Sequence, residues 1–181
     1  MNLVAVVATA IWAMLPAYVP NNAAVLGGGG PPIDGGRTVR GDRLLGDGKT
    51  WRGLAVGVGA GIAVGLLLGV FRGPASGLLG VPLPEFSPGA LLALPTGAMA
   101  GDIFASFLKR RTGRKRGRPV PGLDQLDFVI GALSLTALVD PAWFGAVFSL
   151  PVLVVVLVVT PALHVSTNVI AYWLGLKNEP W

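Results

Sequence analysis

The stretch Gly41–Gly53, "GDRLLGDGKTWRG", runs straight into Leu54–Phe71, "LAVGVGAGIAVGLLLGVF". A glycine-rich segment crowded with charge gives way, without a linker, to a run that carries none. Such a run approaches the roughly 20 residues needed to cross about 30 Å of hydrocarbon, so it reads as a membrane helix with a polar loop at its mouth. "GDGKT" has the ending of a phosphate loop, but a Walker-type loop needs a glycine five residues before its Gly-Lys-Thr and a strand leading into it. Counting back from Gly48 reaches Arg43, and no strand-like run precedes it. The P-loop reading fails, and the chemistry of a polar loop beside a membrane span still has to be explained.

Composition places the whole chain in the same environment. Of 181 residues, 52% are hydrophobic and 13% charged, with a mean hydropathy of +0.68; a soluble protein carries about 25% charged residues. The fold class is therefore an all-α integral membrane protein, a single membrane-embedded domain by length. The absence of cysteine excludes disulfides, thiolate catalysis and cysteine metal sites, and a single histidine leaves any metal to oxygen ligands. The net charge of +5 does not indicate a nucleic-acid partner, because in so apolar a chain basic residues report topology and anionic lipid.

Five apolar stretches are expected to span the bilayer, at about residues 2–20, 53–71, 89–108, 126–147 and 149–173. The first lacks a basic n-region and reads as a retained helix rather than a signal peptide. "DPAWFG", Asp140–Gly145, must hold a tight turn between the last two, and four helices with one of them broken is the fallback. Arg37, Arg40, Arg43, Lys49 and Arg52 fall in a loop at about 27–52. Lys109, Arg110, Arg111, Arg114, Lys115, Arg116 and Arg118 fall at about 109–125, and Lys177 in the tail. With five spans these segments share one side, which the positive-inside rule makes cytoplasmic, and only Arg72 lies opposite. The N-terminus is then outside and the C-terminus inside. Gly57, Gly61, Gly65 and Gly69 repeat every four residues, a spacing that lets helix backbones pack closely within the protein or between copies.

Carboxylates are scarce and unevenly placed. Asp34, Asp42, Asp47, Asp124 and Asp127 flank the basic loops, while Asp102 lies inside the third span, about two turns before Lys109. A carboxylate at that depth is costly unless it faces a polar cavity, a partner or a metal ion. Basic groups and several carboxylates at one membrane face suit a polyphosphate held through Mg²⁺. Several of the polar residues equally suit a purely structural role. Asp124 sits at an expected helix N-cap with Asp127 three residues on, as in a capping box. Thr50 is placed to cap the second span. His164 and Asn168, four apart on the fifth span, suit an interhelical hydrogen bond. Asp102 has no such alternative.

Taken together, "GDIFASFLKRRTGRKRGRPVPGLDQLDF", Gly101–Phe128, resembles the signature region of the CTP-dependent phospholipid cytidylyltransferases, with Ser106, Lys109, Arg110, Pro121, Gly122, Asp124 and Asp127 at its positions. Bacterial members carry a His-Gly-Gly loop and a Lys-Asp pair in this region, where this chain has "PGLDQLD" and "RKRGR". "PAYVPNNAAVL", "PIDGGRTVRGDRLLGDGKTWRG" and "TPALHVSTNVIAYWLGLKNEPW" are similar to segments of the archaeal branch, so the resemblance extends from the first span to the last residue.

That resemblance implies transfer of CMP from CTP to 2,3-di-O-geranylgeranyl-sn-glycerol 1-phosphate, giving unsaturated CDP-archaeol and pyrophosphate. It implies Asp102, Asp124, Asp127 and Lys49 as catalytic residues, with Mg²⁺ on the three aspartates. Asp34, Arg43, Asp47, Thr50, Ser106, Lys109, Arg110, His164 and Asn168 are the implied substrate contacts. The expected partners are CTP, the prenylated lipid phosphate and the bilayer; the oligomeric state is left open. A small anion channel should show polar residues through the full bilayer, whereas here they crowd one face. A non-enzymatic scaffold would leave Asp102 without a purpose.

Overall fold

The computed structural model describes residues 2–39, 41–112, 123–173 and 175, with Leu123, Asp124, Thr167, Asn168 and Ala171 described in their backbone alone. Helix α1 (Leu3–Tyr18) starts at Asn2, whose side chain accepts the Ala5 N–H at 2.8 Å, and α2 (Pro20–Leu26) follows at once. Pro20 causes the break, since it has no N–H to give the carbonyl of Pro16. Together α1 and α2 form a largely apolar stretch of 24 residues, long enough to cross a bilayer. Helix α3 (Trp51–Leu79) is capped by Thr50 and stopped by Gly80 in the left-handed region at φ 64°. Helix α4 (Pro88–Arg111) is capped by Ser87 and has Pro88 in its first turn. Helices α5 (Leu123–Val139), α6 (Pro141–Val147) and α7 (Leu150–Trp173) complete the chain.

Two expectations about these elements change. The stretch 126–147 is not one helix: it breaks at Asp140, which precedes a proline and is driven out of helical geometry (φ −139°, ψ 71°). The sharp bend comes later, an angle of 81° between α6 and the first part of α7. Among the described residues three helices are able to span a membrane by length and composition, or four if the bent pair counts as one; α5, with 17 residues, measures about 25 Å. The second expected span, α3, also runs to Leu79 rather than stopping near residue 71, so Arg72 lies within it and pairs with Glu85 at 3.3 Å. A short antiparallel ribbon, β1 (Thr38–Val39) with β2 (Asp42–Arg43), adds the one sheet element among the described residues.

Helix α1 packs against α3, α4 and α7, and its Ala13, Met14 and Ala17 are fully buried. Leu66, Leu67, Phe71, Leu92, Phe104, Ile130 and Val158 point outward. So much exposed apolar surface on long helices belongs in lipid rather than water. The glycines on α3 serve packing inside the molecule. A Cβ on Gly57 would strike Pro20 and Met99, and one on Gly61 would strike Pro16 and Pro95, while Gly69 faces open space.

The tightest contact joins α4 to α5. Any side chain on Gly97 or Gly101 would run into the backbone of Gly131 or Asp127, and one on Gly131 into Gly97. The two helix backbones therefore touch, which sets Asp102 and Asp127 on facing turns. At the far end, the Ser87 hydroxyl donates to Asp140 Oδ2 at 2.5 Å while Asp140 Oδ1 accepts the Trp143 N–H, tying the start of α4 to α6.

Gly101→Val should lower stability by about 1–3 kcal/mol or more through overpacking, whereas Gly69→Ala should be neutral or gain up to about 1 kcal/mol. Thermal unfolding of both variants in one detergent, followed by circular dichroism, checks this; equal shifts would contradict the contact.

Candidate active site

The loop between α2 and α3 is built around one carboxylate. Asp34, its side chain 1% exposed, accepts backbone N–H groups from Gly36 (3.0 Å), Leu45 (3.0 Å) and Gly46 (3.3 Å). The Arg43 guanidinium adds two more bonds, at 2.7 and 3.4 Å, and also pairs with Asp47. Gly36 and Gly46 turn their N–H groups inward at φ 81° and 97°, a region glycine enters without strain. The Arg43 guanidinium, opposed by burial and aided by the three N–H groups, holds the Asp34 carboxyl well below the usual carboxylate range. Asp34 and Arg43, expected as substrate contacts, thus hold the loop together in this conformation.

The two ends of the loop close on each other: Ile33 donates to the Lys49 carbonyl at 2.8 Å and Trp51 to that of Pro31 at 3.3 Å. Thr50 accepts the Gly53 N–H at 3.0 Å and is buried, so it caps α3 as expected. This closure carries the Lys49 ammonium across to Asp102 on α4, where the two form an ion pair, each side chain a little over one-fifth exposed. The pair lines a cavity of about 60 Å³ together with Asn21, Ile33, Thr50 and Met99.

Helix α4 presents Asp102, Ser106 and then Lys109 and Arg110 at four-residue intervals or nearly so, one polar stripe on an otherwise apolar helix. Arg110 passes beside Gly46 of the loop. Arg111 donates to the carbonyls of Val39 (3.2 Å), Asp42 (3.4 Å) and Arg43 (3.1 Å), clamping both strands of the ribbon to the end of α4. Nothing in the sequence separates Arg111 from its basic neighbours, because its role depends on where the loop carbonyls lie. Asn21 is a further residue that the sequence did not single out; its visible signal is a polar side chain inside an apolar span, just after the proline that breaks it.

Asp127 is buried on α5, with Oδ1 accepting the Phe128 N–H at 2.6 Å. Helix α5 begins at Leu123, so the expected N-cap, Asp124, falls inside the first turn instead; its side chain lies outside the described residues, as does that of Asn168. His164 is half-buried on α7, one turn beyond Thr160, whose hydroxyl meets Tyr18 of α1 at 2.9 Å. Among the described residues no three acidic or histidine side chains gather as a metal cluster.

A bundle of lipid-facing helices with its partly buried ion pair and most of its cationic side chains at one end, beneath an ordered glycine-rich loop, is the architecture of an intramembrane enzyme that handles anionic groups. The family model for CDP-archaeol synthase (CarS-like) matches residues 3–181. CDP-archaeol synthase of Halobacterium salinarum is 65% identical over 181 residues, covering 100% of both chains. That of Halorubrum lacusprofundi is 67% identical over 175 residues, 97% of each chain, and that of Methanosarcina acetivorans 47% identical, covering 93% of this chain and all of its own. A solved structure, described as structural insight into an intramembrane enzyme for archaeal membrane lipids biosynthesis, superposes with a TM-score of 0.70 at 41% identity, covering 88% of this chain and 92% of its own. The chain belongs to the CDP-archaeol synthase family.

Because the Asp34 pKa is depressed in the folded protein, its contribution to stability is complete above the ordinary value of about 3.9 and is lost as pH falls from there through the folded value. Trp51 emission, taken against a Trp51→Phe reference, should stay flat from neutral pH to about pH 4 and change only below it. At neutral pH, Asp34→Asn should speed trypsin cleavage at Arg37 roughly tenfold or more. Cleavage at the wild-type rate would show that the charge on Asp34 does not hold the loop.

Proposed function

We propose that the Lys49–Asp102 end of the bundle is where CMP passes from CTP to a glycerol phosphate lipid carrying two geranylgeranyl ether chains. The observation that carries this is the ion pair itself, a lysine and an intramembrane carboxylate at one cavity, in a chain that matches CDP-archaeol synthases along its whole length. In the reaction a lipid phosphate oxygen forms a bond to the α-phosphorus of CTP as the bond from that phosphorus to the bridging oxygen breaks, and pyrophosphate leaves. A phosphate monoester is already anionic near neutral pH, so no strong base is required. The barrier lies in bringing two anions together, which positioning and charge neutralisation overcome.

Lys49 holds a phosphate after exchanging its carboxylate partner, and Lys109 and Arg110 hold the rest of the triphosphate and the lipid head. Asp34, Arg43, Asp47 and Arg111 keep the loop closed so that Lys49 stays in register with α4. Ser106, His164 and Asn168 are assigned to the lipid side of the site. Mg²⁺ suits the donor set, since Asp102 and Asp127 offer hard carboxylate oxygens on facing turns and Asp124 precedes Asp127 by one turn; bound there, it would neutralise phosphate charge. The chain would form a single domain crossing five times, through α1–α2, α3, α4, α5 and α6–α7. Its basic end would face the cytoplasm of a cell membrane.

Purified protein given CTP and the prenylated lipid phosphate should release pyrophosphate and form the CDP-lipid, and EDTA should stop it. Asp102→Asn should fold yet lose at least about a hundredfold in turnover. An Asp102→Asn enzyme as active as wild type in detergent and in lipid would move the reaction centre elsewhere.

The orientation is tested separately. In intact cells, cysteine at position 37 should resist an impermeant maleimide and cysteine at position 85 should react. The reverse pattern would invert the topology.

A further inference from the structure

Asn21 carries a carbonyl oxygen, Oδ1, that is buried without a hydrogen-bond partner, and its side chain lines the same cavity as Lys49 and Asp102. The neighbouring walls, Leu54, Met99 and Ile103, are apolar, so packing alone would favour a leucine here. A buried acceptor lacking a donor weakens the fold and points to a role in function. The cavity is lined by two hard oxygen donors, the Asp102 carboxylate, which holds the Lys49 ammonium, and the neutral Asn21 carbonyl oxygen, which has no partner. Its volume of about 60 Å³ equals that of about two water molecules. That leaves room for a cation with part of its hydration shell. Hard cations take carboxylate, amide carbonyl and water oxygens together.

We propose that Asn21 and Asp102 form two walls of one cation site, in which the Lys49 ammonium of this structure and a hydrated divalent cation compete for the Asp102 carboxylate while Asn21 Oδ1 is left for the divalent ion. Asn21 Oδ1 binds the divalent ion directly or through one of its waters. Lys49 releases the site when it moves onto a phosphate, so metal and nucleotide enter together. The inference rests on the reading that Asp102 takes the metal, and it adds a neutral ligand from α2 and a competitor from the loop.

Mn²⁺ binding to the full-length protein in detergent, measured by electron paramagnetic resonance without and with CTP, tests it apart from turnover. Asn21→Leu should weaken Mn²⁺ roughly tenfold or more, and Asn21→Asp should tighten it by a similar factor. Lys49→Met should tighten Mn²⁺ in the absence of CTP and abolish the gain that CTP brings. If Asn21→Leu fails to fold, Asn21→Asp, which keeps the shape, decides alone. Wild-type Mn²⁺ affinity in both Asn21 variants, with affinity lost in Asp102→Asn, would overturn the role of Asn21 and leave the metal on Asp102. Unchanged affinity in Asp102→Asn would remove the metal from this end and the inference with it. A change confined to CTP-over-UTP preference would make Asn21 a base contact and also overturn it.

Discussion

One buried carboxylate, that of Asp34, determines whether the polar half of this molecule exists as a structure. The loop between α2 and α3 has few apolar side chains to bury and many glycines, so chain entropy opposes its order. Five hydrogen bonds converge on Asp34, three from backbone N–H groups and two from Arg43. They draw together residues 34–36 and 43–46, and the ends then close through Ile33, Lys49 and Trp51. Only with the loop in this shape does Lys49 stand opposite Asp102. The loop thus holds a lysine at a defined place relative to a carboxylate on α4.

The counterpart lies in the apolar half. Gly97, Gly101 and Gly131 let α4 and α5 meet backbone to backbone, so two aspartates that are 25 residues apart in the chain come to facing turns without a connecting element. Small residues accomplish this in lipid, where close packing replaces the drive to escape water. The polar site and the greasy scaffold are therefore joined at Asp102, whose neighbour Gly101 touches α5 and whose own carboxylate meets the loop.

Much of this was legible from the sequence because its signals are local. Apolar runs of membrane length located α1, α3 and α4, and Asp102 stood out because a charge in a span demands a reason. Thr50 was readable as a cap from its place before Trp51. The rest depended on contacts that no spacing encodes. Asp34 and Arg43 were expected as ligand contacts from the family resemblance; that they also bind each other and the loop backbone depends on a convergence of N–H groups that no spacing encodes. Hydropathy saw residues 126–147 as one span because Pro141 and the bend after Val147 interrupt direction rather than apolar character. The glycines on α4 and α5 escaped notice because their partners lie on different helices.

Helix α3 has 29 residues and is about 44 Å long, against a hydrocarbon layer of about 30 Å. A rod longer than its medium must lean or protrude, and the angle it takes follows the thickness of the surrounding lipid. The close contacts at Gly57 and Gly61 bind α3 to α1, α2 and α4, so whatever lean the lipid imposes on this rod is shared by the helices packed against it.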